Sequence, residues 1–413
     1  MDCTLSVIIP AWNLWEMTRD CLHSLAAHST DAPVEVIVVD NGSTDATANE
    51  LEPLGAALFG ARFRAVRLPE NQGFARGCNA GARVASSPLL FFLNNDTLMT
   101  EGWLPPLLAA AAPAGVGVVG ARLLYPGNDR VQHVGVCFNP CMEVGHLYHF
   151  FPKSCPLTCQ PRTLQAVTGA ALLIGAELFA ECGGFFEGFV NGFEDLDLCC
   201  QVRKRGKSVV LAPESVIYHL TSQTPGRFDH DAPNAQLLSE RSQGLFTPDA
   251  HRIGLADGLS PALNATQSFY LALPEEHEQA LTAAFTAHFQ EDRCRQRLGT
   301  YPLWRGGYDL MARHLEQAGQ YEDALAWRSM QLRFFPLESC ALELTRCATR
   351  LRNPEMLAYA AAVLEEVRLD AGAIPQLRAR AGAVVRRARE RGDAVLERLY
   401  TDWIARYAPN PVR

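Results

Sequence analysis

"VIVVDNGSTD", Val36–Asp45, decides how the first half of the chain is read. An apolar run ends in Asp40 and Asn41, Gly42 allows a turn, and residues suited to a helix start follow. An apolar run without polar alternation is what a parallel strand needs when both faces of its sheet are covered. Two more such runs, Leu5–Ile9 and Leu89–Leu93, lie before and after it. Leu14, Met17, Cys21, Leu22 and Leu25 fall at helical spacing and predict a helix over Leu14–Ala27. A second helix is predicted over Ser43–Leu54, with Ser43 or Thr44 as its N-cap. Strands alternating with helices imply an α/β fold with right-handed crossovers.

In open α/β sheets, ligands bind outside the carboxyl ends of the strands, which puts Asp40 where a ligand would lie. The plainer alternative is that Asp40 and Asn41 only cap the turn. "PENQGFARGCNAGARVA", Pro69–Ala85, places Gly73, Gly77 and Gly81 at intervals of four, together with Asn71 and Asn79. Small residues at a helix start let a ligand approach backbone N–H groups, although close helix packing explains them equally well. "FFLNNDT", Phe91–Thr97, ends a third strand in Asn94, Asn95 and Asp96. A carboxylate with amide oxygens is hard-ligand chemistry, suited to Mg²⁺ or Mn²⁺ held with a diphosphate. Asp96 falls beside the strand of Asp40 if the sheet order is simple. Further on, Glu194, Asp195 and Asp197 crowd a predicted helix start over Glu194–Arg205, where one can serve as a general base. Helix capping by Asp195 is the bland reading. His219 ends another strand after Val216, Ile217 and Tyr218, sharing an edge with two acidic sites.

These motifs occur in a fixed order: "SVIIPAWN", "VVDNGSTD", "ENQGFARGCNAGA", "FLNNDT", "VTGAALLI", "GGFFEGF", "EDLDLCCQVRKRG" and "VIYHL". Over residues 4 to 223 the chain resembles a family-2 glycosyltransferase with the GT-A fold, a Rossmann-like nucleotide-diphospho-sugar transferase domain. The nearest flavour is the bacterial rhamnosyltransferase-like branch, in which Asn-x-Asp replaces Asp-x-Asp, as with Asn94 and Asp96 here. The resemblance implies that Asp40 bonds the pyrimidine of the donor. Pro10, Ala11 and Asn13 would line base and ribose, and Asn71 and Gly73 would shape the nucleotide pocket. Asp96 and His219 would hold Mn²⁺ or Mg²⁺, with Asn94 supporting ribose or metal. Gly169 and Ala170 would flank the sugar, and Asp195 would be the catalytic base of an inverting transfer. The donor class implied is a UDP- or dTDP-sugar, and the acceptor a hydroxyl on a glycan or a protein. Asn94 lowers the negative charge of the metal site, so weaker metal affinity is expected. Trp12 stands where the family often has Tyr.

The rest of the sequence bounds this reading. A chain of 413 residues suggests two or three domains. A formal charge of −8 argues against a general nucleic-acid binder but leaves room for nucleotide substrates. Leu104–Ala121 is uncharged, yet Pro105, Pro106 and Pro113 make it a helix, a turn and a strand instead of a membrane span. With no basic leader at Met1–Thr4, a cytoplasmic location is expected, with peripheral contact at an inner membrane left open. Thirteen scattered cysteines do not make a disulfide scaffold. Cys137, Cys141, Cys155 and Cys159, with His133, His146 and His149 nearby, raise structural zinc. Their x₃ spacing differs from the usual x₂, so free thiols are the default.

Residues 222–265 are rich in Pro, Asp, Ser and Gly and predict a long irregular connection. The expected domains are a GT-A domain over 1–265 and an all-α, tetratricopeptide-like region over 266–413. Ala312, Gly319, Tyr321, Ala324 and Pro336 fit one such repeat. A shift of 34 residues leaves only Ala358, and Gly392 and Pro409 repeat one interval. A plain helical bundle is the alternative. Such a tail would bind a protein partner or serve packing and dimerisation. Two rival functions are a sugar nucleotidyltransferase, for which the first strand lacks a basic glycine-rich signature, and a catalytically inactive adaptor working through the tail.

Overall fold

The computed structural model describes residues 3–29, 34–220 and 230–408. The chain divides into two compact units, one of residues 1–137 and 144–247, the other of 138–143 and 248–413.

The first unit opens with β1 (Leu5–Ala11), α1 (Trp15–Ala27), β2 (Val34–Asp40), α2 (Thr47–Phe59), β3 (Phe63–Arg67), α3 (Phe74–Val84) and β4 (Leu89–Leu93). β1 lies between β2 and β4, parallel to both, and β3 lies outside β2. The chain therefore steps to one side of β1 through β2 and β3, then crosses to the other side for β4. The β1–β4 ladder stops at Ile8 and Phe92, so a crevice opens beyond it, at the point where the strand order reverses. Pro10 sits past the last rung of that ladder, where a residue without an N–H is tolerated.

The apolar runs are buried on both faces. Successive strand residues point to opposite sides, so Phe91 meets Trp103 at 5.2 Å, and Phe92 meets Phe179 and Phe185 at 4.9 and 4.8 Å. Both rings are fully buried, which stabilises the fold by about 1.5–3 kcal/mol each.

The unit continues through β5 (Thr97–Met99), α4 (Leu104–Ala111), β6 (Val116–Leu124), β7 (Val131–His133), β8 (Val136–Phe138), β9 (Val144–His146), β10 (Arg162–Leu164), β11 (Ala171–Gly175), α5 (Ala176–Glu181), α6 (Glu194–Lys204), β12 (Ser208–His219) and α7 (Asp231–Ser242). β11 runs antiparallel between β4 and β6, and β12 pairs with β6, β5 and β10.

Several local expectations change. The sheet is mixed, in the order β10-β12-β6-β11-β4-β1-β2-β3, because a run of apolar residues does not encode strand direction. The strands of Asp40 and Asp96 are not neighbours, since β1 separates them. The second helix starts at Thr47, not Ser43. Ser43 is used elsewhere: its Oγ accepts the Asn13 N–H at 2.8 Å, and its own N–H goes to Asp40 Oδ1. The strand from Ser208 runs past Pro213. It continues to His219 through an irregularity between Ala212 and Val216 that absorbs the proline. The connection expected over 222–265 carries α7, α8 (Ala250–Ala256) and β13 (Ser260–Leu263), while residues 222–229 lie outside the described residues.

In the second unit, β13 forms a hairpin with β14 (Phe269–Ala272) ahead of a run of helices. These are α9 (Glu275–Ala287), α10 (Glu291–Thr300), α11 (Arg305–Gln317), α12 (Tyr321–Phe334), α13 (Glu338–Leu351), α14 (Pro354–Val367), α15 (Ile374–Arg391) and α16 (Ala394–Tyr407). Gly319 and Gly392 take left-handed φ values of +78° and +67° where α11 and α15 end, which suits glycine at a helix C-terminus. Fully buried Ala312 and Ala324 let α11 and α12 pack closely. Arg328 on α12 is also fully buried and pairs with Asp309 and Glu316 of α11 and Glu343 of α13, tying three helices together. Ala358, the surviving match of the shifted repeat, is exposed on α14, and Pro409 lies outside the described residues. An α/β domain followed by a helical region is thus the architecture found.

Candidate functional site

A cleft of about 180 Å³ sits at the crevice beyond β1 and β4. Pro10, Ala11, Asn71, Asn94, Asp96, Gly169, Ala170 and Asp195, all singled out in the sequence, line it together. Asn13, Asp40, Gly73 and His219 are not among the lining residues and belong to the hydrogen-bonded loops and strand end around it.

The loops after β1 and β2 clasp each other. Asn13 Oδ1 accepts the N–H of Thr44 at 2.8 Å and of Asp45 at 3.3 Å. Asp45 Oδ2 returns the contact by accepting the Trp15 N–H at 2.9 Å. Asp40 is 3 % exposed, and its second oxygen meets no hydrogen-bond donor among the described residues. Asn41 ties in the third loop: its Oδ1 accepts the Gln72 N–H, and its Nδ2 donates to Asn71 Oδ1 and the Gly73 carbonyl. Gly73 has φ +85°, a conformation that spares a residue without a Cβ, and it leads directly into α3.

The opposite wall is built by pairing β5 with β12, which sets Thr97 across from His219. The Leu220 N–H donates to the Asp96 carbonyl, locking this end of the ladder. Asp96 Oδ1 then lies 3.1 Å from His219 Nε2, with Asn94 Nδ2 3.3 Å from the same nitrogen. Gln132 fixes the imidazole. Its Nε2 donates to the His219 carbonyl at 3.2 Å, which turns its Oε1 toward His219 Nδ1 at 2.5 Å. Nδ1 therefore carries a proton, which leaves Nε2 as the nitrogen that could offer a lone pair to a cation beside the Asp96 carboxylate. A carboxylate oxygen and an oriented imidazole nitrogen, with an outer amide holding the tautomer, fit a divalent cation of the Mn²⁺ or Mg²⁺ class. Among the described residues, no three His, Cys, Asp or Glu side chains form a closed cage, so further ligands would come from substrate or water. Asn95 also lines the cleft and anchors it to α1 by donating to Thr18 Oγ1 at 2.9 Å.

The third wall separates the acidic triplet of α6. Asn191 and Phe193, at φ +49° and +74°, turn the chain sharply into the helix, a strained geometry for non-glycine residues. Glu194 lines the cleft while its Oε2 accepts the Gly192 N–H. Asp197 is 1 % exposed and points away, paired with Arg241 of α7 through two contacts of 2.9 Å. Asp195 faces the cleft and is held by two backbone groups, Gly169 N–H to Oδ2 at 2.7 Å and Leu196 N–H to Oδ1 at 2.8 Å. Each oxygen keeps a lone pair for a substrate proton.

Sequence reasoning missed Gln132, which holds His219, and Thr168 and Phe74, which line the cleft. Gln132 precedes His133 in a segment read only for metal spacing, and a buried amide leaves no spacing signal. The cysteine question resolves into separate environments. All thirteen are free thiols. Cys155 is buried, Cys159 is exposed and accepts a hydrogen bond from Arg122, and Cys141 lies 3.6 Å from the Tyr400 hydroxyl.

The chain is similar to known proteins over its first half. Residues 6–165 match the model of Glycosyl transferase family 2. An uncharacterized protein, y4gI, of Sinorhizobium fredii is 32 % identical over 57 % of this chain and 26 % of its own length. The O-antigen biosynthesis protein RfbC of Myxococcus xanthus is 31 % identical, over 52 % of this chain and 17 % of its own. Validoxylamine A glucosyltransferase of Streptomyces hygroscopicus subsp. limoneus is 35 % identical, over 51 % of this chain and 50 % of its own. The chain thus spans half or less of the length of these relatives. No helix among the described residues is long and apolar enough to cross a membrane.

Proposed function

We propose that the family 2 glycosyl transferase domain of this chain moves a sugar from a nucleoside diphosphate to an acceptor hydroxyl, inverting the anomeric carbon. The observation that carries the proposal is one cleft with two kinds of wall: Asp195 on one side, and the Asp96–His219 pair on the other.

Asp195 accepts the proton of the attacking hydroxyl as the new bond to the anomeric carbon forms. Its two backbone hydrogen bonds hold the carboxylate still, so orientation is set before substrate arrives. The loops of Pro10, Ala11, Asn13, Asn71 and Gly73 take the nucleoside, with Asp40 reading a pyrimidine of UDP or dTDP type. Gly169 and Ala170 leave room for the sugar, since neither has a side chain beyond Cβ. Asp96 and His219 would hold Mn²⁺ or Mg²⁺, supported by Asn94. When bound, the cation supplies Lewis-acid stabilisation of the departing diphosphate. The helical region, read as tetratricopeptide-like, would recruit a glycan-bearing or protein partner, and a cytoplasmic enzyme touching a membrane only peripherally fits this reading.

A hydrolysis and thermal-shift screen with UDP-, dTDP- and GDP-sugars, with and without Mn²⁺, tests the reading. Asp195→Asn should keep donor binding and lose about 10²–10⁴-fold in turnover. A product of retained configuration would overturn the single displacement. No binding of any nucleotide sugar would favour an adaptor.

A further inference from the structure

His133, His146 and His149 gather beside Thr168, a residue that lines the cleft. His133 is 1 % exposed, and its Nε2 accepts the Thr168 N–H at 3.3 Å. Its Nδ1 lies 2.7 Å from His146 Nδ1. Two ligands of one zinc ion, each about 2.0–2.1 Å from it, would sit farther apart than this. The contact is a hydrogen bond with one proton between two nitrogens.

That proton can be placed. Thr168 occupies Nε2 of His133 as an acceptor, so the proton of a neutral His133 is on Nδ1. Burial, reinforced by the neighbouring His146, His219 and His149, pushes the His133 pKa well below its ordinary value and keeps the ring neutral. His133 therefore donates to His146 Nδ1, and the remaining proton of His146 is on Nε2. His146 is exposed, and its Nε2 meets no hydrogen-bond partner among the described residues. His149 is occupied separately, against the Tyr125 hydroxyl at 2.9 Å.

The pair is wired to the proposed base. Thr168 and Gly169 are consecutive residues. The N–H of one holds His133, and the N–H of the other holds Asp195. His146 also lies within electrostatic reach of Asp195. We propose that His146 Nε2–H is a fixed hydrogen-bond donor for a hydroxyl or ring oxygen of the acceptor, seating the attacking hydroxyl at Asp195. This rests on the glycosyltransferase reading of the cleft. His133 is the positioning residue that sets the tautomer, and His146 determines acceptor fit.

Two substitutions separate the roles. His146→Asn keeps an oxygen near the Nδ1 position for His133 but removes the outward donor. His146→Gln restores an amide donor near the Nε2 position. Donor hydrolysis by water and transfer to a panel of p-nitrophenyl glycosides are measured side by side. For His146→Asn the acceptor KM should rise about tenfold, the effect of one lost hydrogen bond, with donor KM and hydrolysis unchanged and partial rescue in His146→Gln. An unchanged acceptor KM, or an equal loss in hydrolysis, overturns the proposal. Histidine-selective ¹⁵N NMR at pH 7 should show His133 as the Nδ1–H form and His146 as the Nε2–H form. The opposite tautomers refute the inference whatever the donor. Wild-type protein that neither binds nor hydrolyses any nucleotide sugar refutes the cleft reading itself, and this inference with it.

Discussion

Replacing Asp197 by Asn tests whether the carboxylates of α6 have distinct tasks. Asp197 is 1 % exposed and takes two charge-assisted hydrogen bonds from Arg241, from Nε and Nη2, each 2.9 Å. Removing one partner of a fully buried pair costs about 3–5 kcal/mol. The Arg241 side chain is 28 % exposed, so its charge can regain water, and it stacks on Phe186 at 3.6 Å to the ring centroid in any case. Asn also keeps one acceptor oxygen while setting its amide against a guanidinium N–H. The expected cost is therefore about 2–3 kcal/mol, below the fully buried range. For a domain of this size it lowers Tm by about 4–12 °C. The assay is calorimetric or fluorescence melting of the full chain, with Arg241→Met and the double variant completing a cycle. The double variant should melt close to the worse single, because either change alone breaks the pair. Additive losses, or an Asp197→Asn melt within about 1 °C of wild type, would refute the reasoning. The same samples should keep most donor hydrolysis, in contrast to Asp195→Asn.

Further outcomes follow from other residues. Gln132→Leu removes the amide that orients His219, so Mn²⁺ affinity measured calorimetrically in the presence of UDP should fall about 10–100-fold, and the metal-free melt should also fall, because the buried His219 carbonyl and Nδ1–H lose their partner at about 1–3 kcal/mol. Gly81→Val should destabilise by about 2 kcal/mol or more in a denaturant titration, because a Cβ there would lie 2.5 Å from Ile8 Cγ2. His133 has a pKa lowered in the fold, so the unfolded chain takes up its proton first. Stability is then full above about pH 6.5 and declines on acidification below it by about 1.4 kcal/mol per pH unit. In melts between pH 7 and 5, His133→Asn should flatten that slope.

The strands and the first helix were legible because burial on both faces leaves a continuous apolar run. Leu89–Leu93 matches its predicted span, and α1 starts one residue late. Strand direction was not legible. Nothing in "ALLIG" says that β11 runs against β4, since burial asks the same of either direction. The order of β1 and β4 was hidden for the same reason, because it depends on which helix covers which face. The cleft residues at strand ends carried a signal: three polar groups after a buried strand demand a use. Gln132 and Thr168 carried none, as they act through single hydrogen bonds made only once distant segments meet. Ser43 misled, since a hydroxyl that suits a helix cap also suits a loop N–H, and here Asn13 claims it.

The β4–β11 ladder has a consequence for how this site tolerates change. Leu93 pairs with Ala171, the Asn94 N–H goes on to the Ala170 carbonyl at 3.0 Å, and Gly169 next in line holds Asp195. The span from the Asp96 wall to the base is thus measured out by backbone rungs between two neighbouring strands. The turn after β4 carries Asp96, and the sharp turn at Asn191–Phe193 brings Asp195 in to meet the Gly169 N–H. A segment outside the ladder such as 125–130 can lengthen, shorten or exchange residues without changing these rungs. One residue lost from β11 would instead slide Gly169, and with it the N–H that holds Asp195, by about 3.3 Å, which breaks that hydrogen bond. Tolerance to insertion and fixity of geometry thus fall on different parts of this unit: exposed turns on one hand, paired strands on the other.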